Sequence, residues 1–531
     1  MSRQSALILV MALSVCLLIA SWVFRHQLGF ETSSEYIQKE LGGRYVTEHF
    51  QIFYSRSSFT DEEMKWVGRE HEFRYDQIAR VLHSHLRKPI ATYIYPDAGV
   101  KQRLIGASGT NIAKPWRGEI HINKESWQQS LKHEMVHVMA GEFGMPIIHA
   151  HYNTGLVEGL ATAIDGDIGN RTLHEYAAAV KVFRIVKQPE RLIRPSGFAM
   201  RASTVSYTLM GSFCKYLIDR YGVVRFKELY GGQSVDDVYG RSYDMLVTEW
   251  QDFLTGIPVP DSWKKHVEFY FSRPSIFAKE CARAVANLNE EGYRNLEARN
   301  SVAATGIFSR ALTTSWNTES YQGLVRAAYN AMRFDTVVYL VHSQMKDSSG
   351  RSGIVNLFLL YGDALWRTGD TLSAKHAYQD ILDLDLSERM DEAAATRLVA
   401  LEDENLRPPF LRYFTSAFND SMVELCLDSL RRQSHHPILA YLQAKLFVRT
   451  SRYANTIDVL DTMRTLFPYP MLNAGREQTL GWALLRMEEF QRARAHFWQS
   501  LNYISNRASR ERVDDLVERC DWLEENVKSK R

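Results

Sequence analysis

Two histidines four residues apart, with a glutamate directly after the first, stand in the stretch LKHEMVHVMAGEFG, Leu131 to Gly144. If the stretch is helical, positions i and i+4 share a face, so the imidazoles of His133 and His137 converge and Glu134 lies beside them. That is the arrangement of a zinc hydrolase: nitrogen ligands on one face and a carboxylate placed to take a proton from water. Leu131, Met135, Val136, Val138 and Met139 are uncharged, which predicts a helix buried inside a domain and leaves the three polar side chains as the exception. The same spacing arises by chance on ordinary core and surface helices, so a third ligand is required.

A catalytic zinc takes three protein ligands and keeps a fourth position open. One known continuation of HExxH places Gly three residues and His six residues after the second histidine; Ala140 and Phe143 occupy those positions and exclude that class. Downstream, in NTGLVEGLATAIDG, Asn153 to Gly166, Glu158 sits in an apolar, small-residue helical setting with no cationic partner nearby in sequence. HExxH, a gap of about twenty residues, then Glu followed by Gly and a small residue resembles the gluzincins, the thermolysin-like and aminopeptidase-like zinc metallopeptidases of the peptidase MA clan. The resemblance implies that His133, His137 and Glu158 ligate one zinc ion per chain and that Glu134 is the general base. VEGLATA is similar to the aminopeptidase NEGFA signature, with Val157 in place of its Asn; no upstream Gly-Ala-Met-Glu-Asn accompanies it, so exopeptidase activity is not implied.

The resemblance extends over roughly Tyr45 to Gly222. GEIHINKES, Gly118 to Ser126, alternates like a strand just before the metal helix, where this clan has an edge strand that pairs with an extended substrate backbone. SYTLMGSFCKYLIDRYG, Ser206 to Gly222, reads as an amphipathic helix ended by Gly222, and it is similar to the segment that carries an oxyanion-stabilising tyrosine, here Tyr207. A core aromatic at helical spacing would give the same residue. His149 and His151 are two apart and would diverge on a helix, so they are expected in a loop near the site rather than as ligands. Asp165 and Asp167 could orient a ligating histidine, although DGDIGN also reads as a solvated turn. The five cysteines are widely spaced with no C-x-x-C, which argues against a thiolate site or a redox pair.

Ala6 to Phe24 is apolar apart from Ser14 and Ser21, and at about 1.5 Å per residue it reaches about 28 Å, close to the thickness of a bilayer's hydrocarbon core. No small-x-small cleavage site follows a shorter apolar run, and Val15 precedes Cys16 where a lipoprotein needs a small residue, so an uncleaved signal anchor is expected over residues 1–30. With Arg3 and the N-terminal amine before the segment and Arg25 just after it, the soluble body is expected on the extracytoplasmic side. The 531-residue chain is too long for one core, and its net charge of +2 with no basic stripe gives no reason to expect a nucleic-acid partner.

HFQIFYS, a helix over Thr60 to Leu86, IATYIYP and GEIHIN predict an α+β, thermolysin-like metallopeptidase domain over residues 31–274. From residue 275 to 531 strand signals almost vanish. Gly292, Ala304, Phe308 and Ala311 share their offsets with Gly362, Ala374, Tyr378 and Ile381, and with Gly481, Ala493, Phe497 and Ser500. That pattern resembles tetratricopeptide repeats, in which small residues let two helices approach and an aromatic fills the gap. A degenerate copy runs from Tyr441 to Met463. The expectation is therefore an all-α, TPR-like superhelical domain offering a surface to a protein partner; a generic helical bundle is the plainer alternative. Two functions fit: a membrane-anchored zinc endopeptidase acting on peptide or protein substrates, or a helical-repeat scaffold carrying an inactive or repurposed metallohydrolase domain.

Overall fold

The computed structural model describes residues 32–166, 169–194, 198, 204–271, 282–345, 354–415 and 420–528. The chain divides into two compact units, one from residues up to 166 with 193–199 and 209–251, the other from residues 167–192, 200–208 and 252 onward. The expected anchor Ala6–Phe24 and the expected boundary at residues 274–275 lie outside the described residues. Among the described residues no helix is long and apolar enough to cross a membrane.

The first unit is built on a five-stranded sheet in the order β1-β2-β3-β5-β4, with β1 Gly42–Val46, β2 Phe50–Ser55, β3 Ile90–Tyr95, β4 Ile112–Lys114 and β5 Glu119–Asn123. β2, β3 and β5 run parallel, and β1 and β4 flank them antiparallel. The parallel β2 and β3 need a crossover, which the helix Asp61–Leu82 supplies. A Thr60–Glu63 capping box starts that helix, and His83 in a left-handed conformation stops it, four residues short of the expected end at Leu86. One sheet face buries Ile37, Leu41, Phe53, Tyr93 and Tyr95 together. Ile120 and Ile122 alternate with the residues of that face along β5, and helices Asp61–Leu82 and Trp127–Ala140 pack against each other and against the sheet.

β5 is therefore an interior strand, which corrects the expectation that Gly118–Ser126 forms the sheet edge: β4 pairs outside it, with Ala113 opposite Ile120. Three residues without alternation leave no strand signal in sequence, so β4 was not anticipated.

The second unit is helical in its described residues. Successive helices pair: Ala282–Glu297 with Ser301–Thr314, Phe358–Arg367 with Thr371–Leu384, Pro437–Arg449 with Tyr453–Leu460, and Pro470–Arg486 with Phe490–Ser500. The glycine and aromatic offsets are explained by contact. A Cβ on Gly292 would lie 2.6 Å from the Phe308 ring, one on Gly481 2.7 Å from Phe497, and one on Gly362 would overlap Tyr378. The turns repeat as well. Arg299, Met332, Gly369, Ser451 and Glu488 all have positive φ. In each case the next residue's amide bonds the carbonyl five back, as in Asn300 to Asn295, Arg333 to Ala328, Asp370 to Leu365, Arg452 to Phe447 and Glu489 to Leu484. Arg184 does the same, with the Ile185 amide bonding Val180 O, so this Schellman-type helix stop recurs six times among the described residues of the unit, and only the copy at Gly369 announces itself with glycine.

Residues 169–171 belong to this unit. Asn170 Nδ2 donates to Asp385 Oδ1 at 2.8 Å and to Asp391 Oδ2 at 3.2 Å, and Arg171 Nη2 pairs with Asp385 Oδ2 at 2.6 Å. Arg512 Nη1, on the helix Arg507–Lys528, donates to Gly169 O at 2.8 Å.

Candidate metal centre

His133 and His137 lie on the helix Trp127–Ala140, whose buried residues include Leu131, Met135, Val136, Val138 and Met139, as the apolar pattern requires. Glu158 lies on the next helix, Thr154–Asp165. Asn153 caps that helix by accepting from the Gly155 amide at 2.9 Å, and Gly166 closes it in the left-handed conformation. Gly159 directly follows Glu158 because the helix Thr204–Tyr221 passes there: a Cβ would lie 2.7 Å from Cys214 Sγ and 3.0 Å from Met210 O. The small residue after the glutamate thus has a packing reason in addition to its resemblance.

The three side chains meet. One donor atom from each of His133, His137 and Glu158 lies within 4.8 Å of the others. Glu158 Oε2 is 3.4 Å from His133 Nε2 and 3.7 Å from His137 Nε2, and the imidazoles stand edge to face at 80°. Ligands held at about 2.0–2.1 Å in tetrahedral geometry stand about 3.4 Å apart, so this donor set fits a divalent cation with little adjustment.

Charge follows from burial. The His137 imidazole is pushed down to about 4 by burial, against the pull of Glu158, and so stays neutral as a ligand must. Burial pushes Glu158 up, but the bond to His133 and the charges of both histidines outweigh it and hold the carboxyl below its ordinary range. Burial likewise opposes protonation of His133, yet the Glu158 bond and the charges of Glu134 and Asp165 leave it above the usual value. Glu134, only 9% exposed, is raised to about 7 by burial, with the His133 and Lys101 charges acting against it. The β4 backbone at Ala113 acts in the same lowering direction.

The other sequence candidates separate. His151 is buried, and its Nδ1 accepts the Asn153 amide at 2.8 Å, so it shapes the turn before the Glu158 helix. His149, at φ 50°, sits 3.2 Å from Gly141 O through Nδ1. Neither joins the cluster. Asp165 ends the Glu158 helix and acts on His133 through its charge, while Asp167 lies outside the described residues. Tyr207 is half-buried on Thr204–Tyr221, one turn before the Met210 that packs on Gly159. Cys214, Cys426 and Cys520 are free thiols; Cys16 and Cys281 lie outside the described residues. Sequence reasoning missed Lys101, Asn111 and Ala113. A lysine in the middle of a short helix reads as solvent-facing, and nothing local marks it as buried. No protein-family model and no curated protein matches the chain.

Proposed function

We propose that the chain is a membrane-anchored, zinc-dependent endopeptidase, with a thermolysin-like gluzincin domain followed by TPR-like repeats that present substrates or partners, its body on the extracytoplasmic side. The convergence of His133, His137 and Glu158 within 4.8 Å, with Glu134 buried beside them, is the observation that supports it most. A helical scaffold has no need of a carboxylate kept dry next to a three-donor cluster.

His133, His137 and Glu158 would hold the ion. Zinc, when bound, acts as a Lewis acid toward the scissile carbonyl and makes water a nucleophile at neutral pH. Glu134 takes the proton from the attacking water and returns it to the leaving amine. Tyr207, the residue that the resemblance gives as oxyanion donor, would supply that hydrogen bond.

The test is purified full-length chain with metal analysis and a broad peptide-library digest. Glu134→Gln should keep the metal and lose at least about a thousandfold in peptide cleavage, since a carboxamide of nearly the same size takes up no proton at neutral pH. If the Glu134→Gln chain restores full function to cells lacking the protein, the scaffold reading replaces this one.

A further inference from the structure

Lys101, on the helix Ala98–Ile105, has no exposed surface. Its Nζ donates to Thr110 O at 2.6 Å and to Asn111 Oδ1 at 3.3 Å. Asn111 is itself a junction. Its Nδ2 donates to Ser130 Oγ at 2.7 Å and to Ser126 Oγ at 3.1 Å, while its Oδ1 accepts the Asn123 amide at 3.3 Å. Ser126 is the residue before the histidine helix, and its side chain makes no cap bond there; Ser130 lies three residues before His133. The residue after Asn111 begins β4, which packs directly on the histidine helix that carries Glu134.

A buried ammonium has a high cost of desolvation and persists where its bonds fix something. Here they fix the segment that enters the edge strand against the start of the histidine helix. We propose that Lys101 and Asn111 form a positioning clamp that sets β4 against the start of the histidine helix, and so the placement of Glu134, which that helix carries, at the three-donor cluster. Neither residue touches the donors. The clamp acts through the strand, and its consequence for turnover rests on the endopeptidase reading, whereas its consequence for the strand does not. Burial lowers the Lys101 ammonium to about 8, with the Glu134 charge working against that, which agrees with a dry site close to this carboxylate.

Lys101→Met keeps the length and apolar stem of the side chain and removes its donors; Asn111→Ala removes the junction. Hydrogen exchange of the full chain reads the clamp directly. Both variants should exchange residues 110–114 at least about tenfold faster while the strand β3 and the Glu158 helix exchange as before. In the same proteins zinc content and melting temperature should stay near the parent's. The turnover number on a peptide cut by the parent should fall about tenfold or more with KM little changed, because a misplaced proton acceptor costs rate rather than binding. The double variant should lose no more than the worse single one, since both act through one strand. Unchanged exchange at 110–114, or exchange that quickens across the whole unit, overturns the clamp, as does a loss of turnover that only tracks lost zinc. If the parent cuts no peptide, the endopeptidase reading falls and the local exchange result alone decides the clamp.

Discussion

His137→Ala removes one of three donors, and two donors hold a divalent ion far more weakly than three, so purified variant should retain well under half of the parent's bound zinc. Glu158→Ala should behave alike, because its Oε2 faces both imidazoles. His149→Ala and His151→Ala should keep the metal, their ring nitrogens being engaged with backbone groups of the intervening loop. Metal retained in full by His137→Ala but lost from His151→Ala would mean that the site is drawn around the wrong residues. At this scale the sequence was informative wherever chemistry and spacing coincide. His133, Glu134 and His137 share one helical turn, and Glu158 stood out as an unpaired carboxylate in an apolar stretch. Lys101 was not legible, because what makes it unusual is tertiary: its burial under a segment nine and ten residues downstream.

Helices and strands give two further expectations. In the paired helices of the second unit, Gly362→Ala forces a methyl into the Tyr378 ring and should cost about 1–3 kcal/mol in denaturant or thermal unfolding. Gly306→Ala, on the exposed side of Ser301–Thr314 with open space around it, should instead stabilise by about 0.5–1 kcal/mol. Equal effects at both positions would show that close helix approach is not what these glycines serve. The crossover helix carries a pH-sensitive residue, His71, which is fully buried and stacked near Trp127 of the histidine helix. Its Nδ1 bonds Val67 O at 2.7 Å, its Nε2 has no partner, and burial pushes its pKa down to about 4. The unfolded chain binds this proton more readily than the folded one. The stability contribution is therefore complete above the ordinary histidine pKa near 6.5 and is lost as pH falls from there toward about 4, by about 3 kcal/mol. His71→Leu should flatten the fall of melting temperature across that window, and an unchanged slope would refute the assignment. Elements that span enough residues to show a period were legible: β2, β3, β5 and the two site helices fall where alternation and helical spacing put them. β1, with its Gly42-Gly43 start, and the three-residue β4 were not, since neither shows alternation; the helix meant to reach Leu86 stops at a histidine that no sequence rule marks as a terminator.

For the molecule as a whole, the expected anchor predicts that full-length protein stays with membranes after a carbonate wash and that protease added from the outer side digests its body. Release of a chain shorter by about twenty residues would show a cleaved leader instead. The division into units alters how a truncation must be read. Residues 167–192 follow the Glu158 helix immediately yet belong with the helical unit, so a chain stopped near residue 275 keeps Asn170 and Arg171 without Asp385, Asp391 and Arg512. In such a fragment the amides of residues 169–182 should exchange faster than in the full chain, while zinc content at the donor cluster reads the first unit separately. The same contacts have a consequence in time. Asn170 and Arg512 are 342 residues apart, and at about 5–20 residues per second a ribosome takes roughly 20–70 s to make the second after the first. All three donor-bearing positions have left the ribosome long before that, so the nascent chain passes through a window in which the metal-binding segments exist while the stretch just behind them still waits for its partners. In that window the segment around Asn170 is open to proteases and chaperones, and pulse-labelled chains should be cut there and become resistant only once synthesis has passed Arg512.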